Sequence, residues 1–103
     1  MALWIQVDGT ETEVILSKGS SFDKMEEMQK YVGGYYTPVY LSDGKTMLVN
    51  EEGIPMRLPY NRKATRLATT KSNLRDITVM AINTVNALNI LGDVLIVSKE
   101  EFN

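Results

Sequence analysis

Leu3, Ile5 and Val7 alternate with Trp4 and Gln6, the period-2 pattern of a strand, and Asp8-Gly9 then signals a tight hairpin whose return strand runs over 10–16. Trp4 lies opposite the apolar set, where it packs over the second face of the sheet or meets another subunit. After the loop Ser17-Lys18-Gly19-Ser20 the period changes. Phe22, Met25, Met28 or Gln29, and Val32 recur at helical spacing, with Glu26, Glu27 and Lys30 turned outward. Ser20, Ser21 and Asp23 offer N-cap oxygens, so a short amphipathic helix is expected over 22–32, with a Met-rich face that suits a core or an adaptable groove. Gly33 falls where a left-handed cap residue is needed, and the helix should stop there.

Residues 35–40 are rich in β-formers, and Pro38 among them points to an edge strand or a bulge. Ser42-Asp43-Gly44-Lys45 is a second hairpin turn leading into Thr46-Met47-Leu48-Val49, which Glu51-Glu52-Gly53 closes. Ile54-Pro55-Met56-Arg57-Leu58-Pro59-Tyr60 reads as an extended, ordered loop, because its prolines remove donors and restrict the residues before them. Asn61 is a good N-cap for a helix over 62–68 with Ala64 and Leu67 inward, followed by a polar connection over 69–73. Asp76 can cap a further helix over 77–89, although the β-branched Ile77, Thr78 and Val79 also permit a strand. Gly92-Asp93 breaks that pattern. Val94-Leu95-Ile96-Val97, apolar throughout, is expected as a strand buried on both faces near the middle of the sheet, with 98–103 as an acidic tail. The expected fold is α+β: one domain over 1–103, a mainly antiparallel sheet of about five strands, the 22–32 helix on one face, and shorter helices from the second half over an edge or end.

Composition narrows function more than fold. A chain of 103 residues with 44% hydrophobic and 23% charged content has an ordinary globular make-up and room for one core. It has no apolar run long enough to span a membrane, and Met1-Ala2-Leu3-Trp4 lacks the basic start of a signal peptide, so a cytoplasmic location is expected. The absence of Cys and His removes thiolate nucleophiles, zinc-thiolate sites and the commonest general base. No catalytic residue, metal site or cofactor is assigned, and an enzyme is not expected. A net charge of −2 argues against general nucleic-acid binding, and a basic middle argues against DNA mimicry. The charge is uneven: Arg57, Arg62, Lys63, Arg66, Lys71 and Arg75 lie in a span free of Asp and Glu.

Taken in order, four stretches resemble the family catalogued as domain of unknown function 3846, small proteins typical of phages, plasmids and other mobile elements. They are Met28-Gln29-Lys30-Tyr31-Val32-Gly33-Gly34-Tyr35, Val49-Asn50-Glu51-Glu52-Gly53, Leu58-Pro59-Tyr60-Asn61-Arg62-Lys63-Ala64-Thr65-Arg66-Leu67 and Leu91-Gly92-Asp93-Val94-Leu95-Ile96-Val97. Residues 71–89 depart from the polar connection associated with the family, being longer and more apolar, and suit a partner-binding or oligomerisation helix. The resemblance implies a viral or mobile-element accessory protein with no assigned chemistry and no site residues to carry over.

A basic loop running into a capped helix suits a small anionic ligand, since free helix N–H groups and guanidinium groups both bind phosphate, and tyrosines stack on bases. The candidate ligand-binding set is therefore Tyr35, Tyr36, Arg57, Tyr60, Asn61, Arg62 and Arg66, with Lys63 beside them. The competing reading is a solvated helix face with ion pairs to Glu51 and Glu52. Asn50-Glu51-Glu52, with Asp43 nearby, lacks metal-site spacing. The expected function is that of a non-enzymatic accessory protein acting by binding, in counter-defence. It would inhibit a host protein bound through the aromatic edge or the 71–89 segment, or sequester a small anionic nucleotide signal. The alternative is a small enzyme hydrolysing such a nucleotide through a carboxylate or Tyr. An exposed aromatic strand and the apolar 77–88 stretch suggest a homodimer or larger oligomer.

Overall fold

Both hairpins close in the same way. In the computed structural model, which describes residues 1–16, 21–41, 43–71 and 90–102, β1 (Ala2–Ile5) turns into β2 (Glu11–Val14) through a bond from Gln6 N–H to Thr10 O at 2.9 Å and one from Gly9 N–H to Gln6 O at 2.9 Å. β3 (Tyr36–Tyr40) turns into β4 (Thr46–Asn50) through the equivalent pair, Leu41 N–H to Lys45 O at 2.9 Å and Gly44 N–H to Leu41 O at 3.1 Å. In each, an Asp-Gly pair supplies a glycine at positive φ, 93° at Gly9 and 87° at Gly44. The aspartate of each pair accepts from the backbone two residues on, Thr10 N–H at 2.9 Å and Lys45 N–H at 3.0 Å. The Thr10 N–H holds the Asp8 carboxyl below the usual carboxylate range. That tie is in place at neutral pH and is lost as pH falls through the lowered value. The likeness of the two turns is thus closer than the sequence suggests.

The five strands form one antiparallel sheet in the order β2-β1-β5-β4-β3, with β5 (Val94–Val97) in the middle. Alternation sends Val94 and Ile96 to one face and Leu95 and Val97 to the other, and each face carries its own core. Helix α1 (Ser21–Val32) covers the Leu48-Leu95-Val97 face with Met28 and Val32. Met25, expected inward, is on the exposed side of this helix. Trp4 packs under α1 edge-on to Tyr31, ring centroids 5.3 Å apart, and its indole N–H donates to Tyr31 O at 3.0 Å. Helix α2 (Arg62–Lys71) covers the opposite face, Ile5, Met47, Val49 and Val94, through Ala64 and Ala68. A second-half helix was expected over an edge or end. The small side chains of Ala64 and Ala68, one turn apart, instead let α2 lie on the sheet itself, and with α1 over the opposite face all of β4 is buried.

Helix α1 ends as its glycines require. Gly33, at φ 81°, is followed by a bond from Gly34 N–H back to Gln29 O at 3.0 Å, the six-residue closure of a Schellman cap. The acidic tail is a further short helix, α3 (Lys99–Phe102), opened by a reciprocal cap. Ser98 N–H donates to Glu101 Oε1 at 2.8 Å and Glu101 N–H to Ser98 Oγ at 3.2 Å. Among the described residues no helix is long and apolar enough to cross a membrane. The expected 77–89 helix or strand lies outside the described residues.

β3 is an edge strand, and its register shows how that edge is protected. Leu41 N–H bonds to Lys45 O and Glu51 N–H to Tyr35 O, so odd-numbered residues of this strand face β4 and Pro38 turns its ring nitrogen to the free edge. The missing donor costs the sheet nothing and removes a bond from any incoming strand. Pro38→Val restores that donor, and we expect concentration-dependent association of the variant in sedimentation velocity beyond that of the parent chain.

Candidate ligand-binding site

The register places Ile5, Val94, Asn50 and Tyr36 at one end of the sheet. At that end lie the β1–β2 turn, the α1–β3 corner, the 51–61 connection and the Leu91-Gly92-Asp93 corner, so every candidate residue falls there except Arg66, one turn into α2. Buried polar side chains tie these segments together. Asn50 Nδ2 donates to Val32 O at 3.1 Å and its Oδ1 accepts from Glu52 N–H at 2.8 Å, which joins the α1 C-terminus to the 51–61 connection. Asp93 Oδ1 accepts from Val7 N–H at 2.9 Å, which takes Val7 out of the expected strand and ends β1 at Ile5.

Asn61 is the largest of these ties and is not available to a ligand. It is 0% exposed. Its Oδ1 accepts from Ala64 N–H at 3.0 Å, the cap expected from sequence, while its Nδ2 donates to Ile5 O at 3.1 Å and Gly92 O at 2.9 Å. Its backbone N–H donates to Ile90 O at 2.8 Å. Thr65 Oγ1 donates to Asn61 O at 2.8 Å and accepts from Ile90 N–H at 2.8 Å. With both amide donors and the oxygen used inside the fold, Asn61 ties this end of the sheet together and is buried from solvent.

The remaining candidates separate. A cleft of about 440 Å³ lies between the Val7-Asp8-Gly9 turn and the Arg62, Lys63 and Arg66 side chains of α2. Lys63 Nζ spans to the hairpin, donating to Gly9 O at 3.0 Å and pairing with Glu11 Oε2 at 2.7 Å. The competing reading places ion pairs with Glu51 and Glu52; the pair that Lys63 makes is with Glu11. Arg62 is exposed and has no partner among the described residues, and α2 carries no acid in its first turn. Cations at a helix N-terminus oppose its dipole, so this end of α2 is electrostatically unsatisfied.

Tyr35, Tyr36, Arg57 and Tyr60 are absent from the described lining of that cleft. Tyr36 packs into the α1-side core, where burial pushes its hydroxyl above the ordinary phenol range and keeps it protonated. Tyr35 is 65% exposed, while Tyr60 makes an isolated bridge to Leu91. Arg57 has φ 54°, a left-handed conformation that costs a non-glycine residue roughly 1 kcal/mol. Bonds from Leu58 N–H to Gly53 O at 3.0 Å and Arg57 N–H to Ile54 O at 3.0 Å show why: this residue closes a helical turn where glycine is usual.

A second cleft, of about 340 Å³, shares only Val7 with the described lining of the first and was not foreseen from sequence. Trp4, Tyr31, Leu58, Asn50, Asp93 and Lys30 line it. Asp93 had a legible signal only as part of a break in pattern. Among the described residues no three carboxylates gather in a way that would hold a metal ion.

A family model described as Domain of unknown function (DUF3846) matches residues 2–102. No curated protein and no solved structure matches the chain.

Proposed function

The chain belongs to that family of unknown function, whose description brings no activity with it, and we propose that it is a non-catalytic binding protein that takes a small anionic nucleotide in the Arg62–Lys63–Arg66 cleft. The observation that carries this reading is the set of basic side chains around one cleft at a helix start with no acid in its first turn. Guanidinium groups bind phosphate with two parallel N–H donors, and a ligand charge there would relieve the clash of Arg62 with the helix dipole. Lys63, already held by Gly9 and Glu11, would fix the wall of the cleft more than the ligand. In the mobile-element setting expected from the sequence, such a protein would act in the host cytoplasm by sequestering a nucleotide signal.

A second reading, docking onto a host protein, is favoured by one feature. Ile54, Met56 and Tyr60 are exposed large apolar residues clustered on the 51–61 connection, beside the strained Arg57. Isothermal titration with a panel of mononucleotides, cyclic mononucleotides and cyclic dinucleotides separates the two. The nucleotide reading expects saturable binding to at least one member at low salt, weakened as salt is raised. Silence across the panel would remove it and leave the apolar surface as the place to look.

A further inference from the structure

The two edges of the sheet are not alike. At β3 the edge is blunted by Pro38, which leaves an incoming strand one donor short. β2, at the other end of the strand order, carries no proline. The bond from Gln6 N–H to Thr10 O and the register Trp4↔Thr12 and Ala2↔Val14 turn the even-numbered backbone groups of β2 toward β1. The N–H and C=O groups of Glu11 and Glu13 therefore point to the open edge, where they have no partner among the described residues. Cross-strand pairing puts the side chains of Glu11 and Glu13 beside Ile5 and Leu3 on the α2 face, while Val14 and Leu16 enter the α1-side core. Ile15, between those two, is 79% exposed.

We propose that the open edge of β2 takes an extended, basic segment of a partner protein as an added antiparallel strand. Backbone bonds to Glu11 and Glu13 hold such a segment, and its alternate side chains select it. Charge decides the occupant. Glu11 is engaged by Lys63 at 2.7 Å, and Glu13 has no ion pair among the described residues. Like charges directly opposite each other destabilise a strand pair. A second copy laid antiparallel along this edge sets Glu13 against Glu13, or Glu11 against Glu13 one step away, so these registers are repulsive. A strand with Lys or Arg facing Glu13 and Glu11, and an apolar residue beside Ile15, meets complementary groups at each position. This surface is separate from the basic cleft, and the inference does not rest on the nucleotide reading.

The test is titration of the full chain with a short capped peptide that carries valine, lysine and lysine at alternate positions from its N-terminus, with threonine between them. Saturable binding is expected, with amide shifts at Glu11 and Glu13. Glu13→Lys, a change at an exposed position, should weaken it by about tenfold or more. Methylating the backbone nitrogen of the lysine that faces Glu13 removes a ladder donor and should abolish binding, a comparison that needs no variant of the protein. Methylating the neighbouring threonine, whose N–H points away from β2, should leave binding in place. Equal affinity of the two methylated peptides would reduce the contact to charge attraction and overturn strand addition. No binding of the unmethylated peptide, or unchanged affinity in Glu13→Lys, would overturn the proposal. So would a dimer of the chain that excludes the peptide, which would give the edge to a second copy.

Discussion

Asn61→Ala is expected to destabilise the domain by about 3–5 kcal/mol, a large part of the stability of a chain this size. The substitution leaves Ile5 O, Gly92 O and Ala64 N–H without their partners in a site with no solvent access. Each orphaned buried group costs roughly 1–3 kcal/mol, and loss of a helix cap falls within the same range. Urea denaturation measures the loss. Asn61→Asp separates the roles, because it preserves the cap oxygen but replaces the amide donor with an oxygen facing two carbonyls. A cap-only residue would tolerate aspartate, whereas the bridging geometry requires this variant to be destabilised as well.

The second large effect is on ligand binding. Arg62→Ala combined with Arg66→Ala is expected to weaken nucleotide binding by roughly 100-fold or more, since each charge-assisted contact to phosphate contributes about 1.5–3 kcal/mol. Stability should respond differently. Arg62 is exposed at the first position of α2, where a cation opposes the helix dipole, so Arg62→Ala alone should leave the melting temperature unchanged or slightly raised. Affinity falling while stability holds marks a side chain kept for something outside the fold. Titration calorimetry and thermal melts on the same samples check both halves, and equal affinity in parent and double variant would remove these arginines from the site.

What the chain displays in its sequence and what it hides divide along contact range. The hairpins, the α1 cap at Gly33, the central β5 and the start of α2 at Asn61 depend on neighbours a few residues away, so Asp-Gly pairs, a C-terminal glycine and a capping side chain announce them. The face on which α2 lies was not legible, because Ala64 and Ala68 say only that the helix can approach closely, not against what. The second role of Asn61 was hidden for the same reason: its amide donates to Ile5, which is 56 residues away. Asp93 and Val7, 86 residues apart, are joined by one hydrogen bond that no local pattern encodes. At the site, the basic cluster was visible as a run of like charge. The clefts that divide the tyrosines from the arginines depend on which turns meet at one end of the sheet, and that is a property of topology.

Amide chemical-shift mapping of the ¹⁵N-labelled chain during titration with a cyclic nucleotide reports where a ligand sits. Nucleotide binding in the basic cleft should give saturable shifts at Val7, Gly9, Arg62 and Lys63, with the exposed residues Ile54 and Met56 unmoved. Shifts confined to Ile54, Met56 and their neighbours, or none at saturating nucleotide, would contradict it.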